Sequence, residues 1–346
     1  MKSNTWVMAV AAVCLSSSVC LAQSAPAPTP ALPTYAQSEP LGAAMEGWAY
    51  PFPLQSLQFE MQGQLVRMVY MDVAPTGTPN GRTVLLMHGK NFGSDYWAGT
   101  LRTLSAQGYR VIAPDQIGFG KSSKPEIRYT FADLARNTDR LLTHLGVNRV
   151  ALVANSMGGM LGVHFARMYP QRVSALVLEN PLGLEDYTLH IPPQATDNLV
   201  KLEMAQTPAS YRNFVRSYFP VWQPEFERFV EQFARVQLSA EYPRFAKVSA
   251  LTYQMIYDAP ITAELPRLSM PTLLAIGQLD RTVFGRRFAP PEVVAPLGNF
   301  AQLGKTAQAL IPGAKLVAFE GVGHVPHLEV PERFHAALLE FLRDKP

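Results

Sequence analysis

Short apolar runs alternate with helical patterns along most of the chain. Residues 57–73 are rich in β-formers and are broken by Gln62-Gly63-Gln64, which predicts an antiparallel hairpin. Apolar runs follow at 83–87, 110–113, 150–154 and 175–179, separated by helical stretches at 96–107, 130–145 and 158–169. Strands that alternate with helices predict an α/β fold with a mostly parallel, doubly wound sheet buried on both faces. Between 181 and 266 the alternation stops, and aromatic-rich helical pieces at 210–218, 225–236 and 245–257 predict an inserted helical lid. Runs at 272–276 and 315–319 restore the pattern, with a helix near 302–310 behind a loop carrying Pro290, Pro291 and Pro296. A last helix is expected at 331–342, since Pro331 suits a first helical position that needs no N–H. The α/β core therefore comprises 41–180 and 267–346, with the lid at 181–266 and no internal repeat.

The first residues change the picture. Lys2 precedes a mostly apolar stretch from Trp6 to Leu21, interrupted by Ser16, Ser17 and Ser18, which reads as a secretory signal peptide over 1–22 with cleavage after Ala22. The stretch is short for a bilayer span, which needs about 20 apolar residues. Val13 and Val19 before the two cysteines do not suit lipoprotein attachment. Residues 23–40, rich in Ala, Pro, Ser and Thr, read as a linker, with the folded domain starting near Leu41. A periplasmic or secreted location is expected, without stable membrane insertion after cleavage.

Composition narrows the chemistry. The 346 residues are 48% hydrophobic, enough for a sizeable core. The 30 basic and 27 acidic residues give a net charge of only +3 and form no basic tract, which argues for a small-molecule substrate and against nucleic acid. Both cysteines, Cys14 and Cys20, lie in the leader, so a cleaved chain has no thiol nucleophile, disulfide or thiolate metal site. The oligomeric state is not legible.

Ala154-Asn155-Ser156-Met157-Gly158-Gly159 follows a strand and opens a helix, the setting of a nucleophile elbow. Ser156 is the candidate nucleophile; small residues at 154, 158 and 159 relieve crowding where the strand turns sharply. The run ending Met87-His88-Gly89-Lys90 is placed so that the Lys90 N–H, with that of Met157, donates to a developing oxyanion. The Lys90 side chain has no part in that role and reads as solvated, and His88 reads as structural. His324, in Gly323-His324-Val325-Pro326-His327, ends a strand at the sheet's carboxyl edge and is the candidate base, with His327 turning away toward the helix start. Asp280 closes another strand and is the candidate acid that holds the imidazole tautomer, with Glu179 as the alternative acid position.

Across roughly 55–344 the chain resembles the α/β-hydrolase superfamily. Besides the three catalytic candidates, the resemblance rests on His88-Gly89 with Trp97, on 113–122, on Phe165-Ala166-Arg167-Met168-Tyr169-Pro170, and on Gly323-His324-Val325-Pro326 leading into Glu329-Val330-Pro331-Glu332. It implies the order Ser, Asp, His along the chain and a structural loop at 115–122, so Asp115 has no catalytic assignment. Ala154 departs from the family's usual glycine. Asn155 to Gly159 is similar to carbon–carbon bond hydrolases, to esterases and to cofactor-free haloperoxidase-like members, while a serine nucleophile argues against the dehalogenase and epoxide-hydrolase branches. The expected function is acyl transfer on a small hydrophobic ester-like substrate without metal or organic cofactor. Carbon–carbon bond hydrolysis or perhydrolysis at the same triad, and a non-catalytic binding protein, are the alternatives. Of the lid aromatics, Phe226, Phe229 and Phe233 fall at helical spacing and are expected mainly as core.

Overall fold

The structure is a computed structural model that describes residues 33–345 together with residues 1, 2, 4–6 and 8. Most of the expected signal peptide, and residues 23–32 of the expected linker, lie outside the described residues. The folded body begins at Tyr35 rather than Leu41, a correction to the expected linker boundary. The Tyr35 hydroxyl donates to the Glu227 carboxylate at 2.7 Å, the Leu41 N–H to Arg235 O at 3.0 Å, and Arg235 Nε to Glu39 O at 2.9 Å.

The chain opens with β1 (Leu54–Met61) and β2 (Gln64–Val73), paired antiparallel as predicted. Gln62 and Gly63 take φ values of 49° and 75°, the two positive values that a tight hairpin turn of the right twist requires. Then follow β3 (Thr83–Met87), α1 (Ala98–Ala106), β4 (Arg110–Pro114), α2 (Phe131–His144), β5 (Val150–Asn155), α3 (Met157–Met168) and β6 (Val173–Glu179). Four helices are inserted next: α4 (Thr196–Met204), α5 (Pro208–Arg216), α6 (Glu227–Gln237) and α7 (Tyr242–Tyr257). The chain closes with β7 (Thr272–Gly277), α8 (Pro291–Val294), α9 (Phe300–Leu310), β8 (Lys315–Phe319), α10 (Pro326–Glu329) and α11 (Pro331–Leu342).

Among the described residues the sheet has eight strands in the order β1-β2-β4-β3-β5-β6-β7-β8, parallel from β4 through β8. Successive strand residues point to opposite faces, so each strand feeds two cores. Leu85, Met87, Leu152, Leu176 and Leu274 face α2, α3 and α9 through Leu134, Leu161 and Phe300. Val84, Leu86, Val153, Val177 and Leu273 face α1 and α11 through Leu101 and Leu338. The loops carrying the site candidates all leave the carboxyl ends of β3, β5, β7 and β8, the edge where such sheets bind ligands.

Leu152 lies in the middle of β5 and is fully buried. Leu152→Ala is expected to lower the unfolding free energy by about 2–5 kcal/mol in urea titration; a loss below about 1 kcal/mol would contradict this packing.

Candidate active site

Ser156 alone makes the turn from β5 into α3, with φ 57° and ψ −121°. Holding a non-glycine residue there costs of order 1–3 kcal/mol, which the surroundings must impose. They leave little room: a Cβ at Gly158 would come within 2.7 Å of the His88 carbonyl oxygen, and one at Gly159 within 2.5 Å of Pro181 Cβ. Alanine at 154 is accommodated by Gly162 two turns into α3, since a Cβ there would stand only 3.2 Å from the Ala154 methyl. Gly159 and Met160 N–H both return to Ser156 O, while Met157 N–H, at the helix's first position, has no partner upstream in the ladder.

The three expected side chains meet. Ser156 Oγ lies 2.9 Å from His324 Nε2, and His324 Nδ1 lies 2.6 Å from Asp280 Oδ2. With Nδ1–H donating to the carboxylate, Nε2 is left to accept the serine proton. All three are buried, so water does not compete for these bonds. Burial by itself would push the Asp280 carboxyl up; His324, through its charge and its hydrogen bond, and Thr282 outweigh burial and hold it below the usual carboxylate range. The Thr282 N–H donates to Asp280 Oδ1 at 2.8 Å, and Asn180 Nδ2 to Oδ2 at 2.8 Å. Asn180 itself has φ 38°, a left-handed conformation that asparagine tolerates better than most residues, and its Oδ1 accepts the Gly277 N–H at 2.9 Å.

A buried network ties the loops together. The Gly89 N–H donates to the Tyr96 hydroxyl at 3.0 Å, which leaves Lys90 as the next backbone N–H of that loop open to a ligand. Tyr96 in turn donates to Asn155 Oδ1 at 3.2 Å, and Asn155 Nδ2 reaches both Glu179 O and His324 O at 3.2 Å. Gly89 packs so closely that an added Cβ would lie 3.2 Å from Ser156 Cβ. On the far side, the Tyr218 ring stacks on His324 with centroids 4.7 Å apart, and the His324 N–H donates to Tyr218 O at 2.8 Å.

The other sequence candidates fall into place. His88 Nε2 accepts the Gln116 N–H at 3.0 Å, so Nδ1 carries the proton to Gly89 O at 2.8 Å, and the histidine is structural. Asp115 accepts from Ser94 N–H, Lys121 N–H and the Tyr50 hydroxyl, and so organises its loop. Glu179 is removed as an acid for His324: it receives His327 Nδ1 at 2.8 Å and the His327 N–H at 2.7 Å, while the His327 ring stacks on Trp97 at 3.9 Å. The Lys90 side chain is not a solvated loop group; it is half-buried, and its ammonium donates to Ser249 O and Oγ at 3.2 and 3.0 Å. Phe226 is core, stacked on Phe219, whereas Phe229 and Phe233 are buried and also line a cavity.

Sequence reasoning missed Asn155, Asn180 and Glu329 as supporting residues. Glu329, the last residue of α10, accepts the N–H groups of Gly323 and Val325 at 2.9 and 3.1 Å, the two residues flanking His324. The only sequence signal was its place in the stretch shared with the resembled family. Among the described residues no group of three or more His, Cys, Asp or Glu is arranged to hold a metal ion, and no helix is long and apolar enough to cross a membrane.

With this fold and this arrangement, the chain belongs to the alpha/beta hydrolase fold family, whose model matches residues 82–331. It is similar to a probable hydrolytic enzyme from Pseudomonas aeruginosa, at 47% identity over 88% of this chain and 99% of that one, with a TM-score of 0.86. It is 31% identical over 289 residues to a 2-hydroxy-6-oxononadienedioate/2-hydroxy-6-oxononatrienedioate hydrolase from Burkholderia vietnamiensis, covering 81% of this chain and 92% of the relative. A thermophilic esterase from Thermogutta terrifontis aligns at 26% identity and TM-score 0.61, over 84% of this chain and 98% of that one.

Burial raises the Glu329 carboxyl to about 7, against the opposing effect of the Gly323 and Val325 N–H groups. The folded chain therefore binds this proton more tightly than the unfolded chain, and Glu329 makes stability fall as pH rises from the ordinary glutamate range toward about 7. Glu329→Gln is expected to remove that fall, worth at most about 1.4 kcal/mol per pH unit, in urea titrations at about pH 5, 6 and 7. Equal pH slopes for variant and wild type would contradict the assignment.

Proposed function

We propose that the chain is a serine hydrolase that cleaves a small, hydrophobic, ester-like substrate through an acyl-enzyme. The observation that carries the reading is the continuous run of hydrogen bonds from Ser156 Oγ through His324 to Asp280, at 2.9 and 2.6 Å. His324 Nε2 takes the serine proton as Oγ attacks the carbonyl carbon, and Asp280 stabilises the imidazolium that forms. The oxyanion lies against the N–H groups of Lys90 and Met157, donors held in place before the reaction. Collapse breaks the bond to the leaving group, which takes the proton from His324; water then attacks the acyl-enzyme by the same route in reverse. The four inserted helices α4 to α7 act in this reading as a lid, since Tyr218, just beyond α5, forms the wall behind His324.

A second reading is favoured by one comparison. The Burkholderia vietnamiensis relative bears the name of a 2-hydroxy-6-oxononadienedioate/2-hydroxy-6-oxononatrienedioate hydrolase, which supports carbon–carbon bond cleavage at the same three residues. We also propose that the chain is exported, on the leader pattern of residues 1–22.

Both readings are separable by substrate. Wild-type protein is expected to turn over short p-nitrophenyl esters, and Ser156→Ala to lose about 10⁴-fold or more in kcat/KM, with Asp280→Asn losing about 10⁴-fold through the wrong imidazole tautomer. Turnover of a vinylogous diketone but of no ester would replace acyl transfer with carbon–carbon cleavage, and unchanged ester turnover in Ser156→Ala would reject the serine mechanism. Amino-terminal sequencing of protein recovered from the periplasm or medium should begin at Gln23; retention of Met1 in the cytoplasm would contradict export.

A further inference from the structure

Lys90 has a second, unassigned property beside its backbone N–H. Its side chain enters a cavity of about 670 Å³, counted with its open mouth, between the loop after β3 and the helices α6 and α7. The walls are mostly apolar and aromatic, with Phe92, Phe119, Phe229, Phe233 and Phe245 among them. Two of the three ammonium protons are accounted for by Ser249 O and Oγ. Among the described residues no carboxylate comes within ion-pairing distance of Nζ.

That arrangement is unfavourable unless something completes it. A buried ammonium loses its hydration, and carbonyl and hydroxyl acceptors replace that only in part. Burial accordingly lowers the Lys90 pKa, with Glu203 opposing the effect and Arg287 adding to it. The neighbouring polar groups are already committed: Gln232 Nε2 donates to Asp95 at 3.0 Å, and the Thr252 hydroxyl to Val248 O and Ser249 O at 3.0 Å. Glu203 also lines the cavity, half-buried like Lys90 itself, and forms no ion pair with Nζ.

The cavity adjoins the site through the loop after β3. Lys90 follows Gly89, which packs on Ser156, and the next residue, Asn91, donates from Nδ2 to the Tyr218 hydroxyl at 2.9 Å, on the ring that covers His324. We infer that this cavity binds a substrate whose apolar body carries a carboxylate, and that Lys90 Nζ is the carboxylate's receptor. The inference rests on the acyl-transfer reading for the ligand being a substrate, and on the cavity alone for its being an anion. A carboxylate here accepts a hydrogen bond from the remaining ammonium N–H and supplies the missing counter-charge, while the aromatic walls cover its hydrocarbon part.

Calorimetric titration of the full chain with phenylacetate and with phenylacetamide, which share a ring and differ in charge, tests it. Phenylacetate is expected to bind at least about tenfold more tightly than the amide, and Lys90→Gln to abolish that preference. Equal or weaker binding of the carboxylate by wild type overturns the inference without need of a variant, as does a preference that survives Lys90→Gln. The two readings fail separately. Ester turnover that depends on Ser156, with no preference for the acid, rejects the carboxylate site alone; a Lys90-dependent preference for the acid without Ser156-dependent turnover rejects acyl transfer alone.

Discussion

Everything at the site depends on one backbone turn, the reversal at Ser156 with φ 57°. A non-glycine residue in that conformation is strained, and it survives only where neighbouring backbone closes in from both sides. The closure comes from strand β3 against Gly158, from Pro181 against Gly159, and from Gly89 against Ser156 itself. Each contact requires a parallel neighbour of β5 ending at the same level, which the order β3-β5-β6 supplies. The central position of β5 is thus a chemical requirement as much as a topological one, and the compensation between Ala154 and Gly162 shows how narrow the tolerance is.

Around that turn, the buried polar side chains that hold the triad are tied by several hydrogen bonds each. Asp280 has three partners besides burial, which is why it stays ionised in an apolar setting. Asn155 spans the loop of the nucleophile, the end of β6 and the loop of His324, so displacing any one would leave an unpaired amide. Glu179 and His327 form a second buried pair beside the first, and the geometry keeps the two separate: α10 turns His327 away onto Trp97 and leaves His324 alone facing Ser156.

The strands and the longer helices were legible because apolar runs bounded by turn residues mark the strands and one apolar face marks the helices. Runs such as 83–87 and 315–319 are apolar and end in turn residues, and their observed limits match. Ser156, His324 and Asp280 were legible because each follows a strand that ends at the same edge. The parts that escaped have weak local signals. Helix α4 buries only Leu199, so its sequence carries little amphipathic pattern, and α10 is only four residues long. Tyr35 looked like linker because its partner, Glu227, is 192 residues away. Asn180 and Glu329 act through contacts that only the assembled loops create, and the burial of the Lys90 side chain depends on α7, far along the chain.

The most direct test of a site built around an activated Ser156 is mass spectrometry after treatment of the folded chain with a fluorophosphonate. The account predicts one covalent adduct per chain, on the peptide containing Ser156, and none after unfolding in urea, because reactivity depends on the assembled turn and on His324. An intact protein without any adduct, or an adduct on another residue, would contradict it.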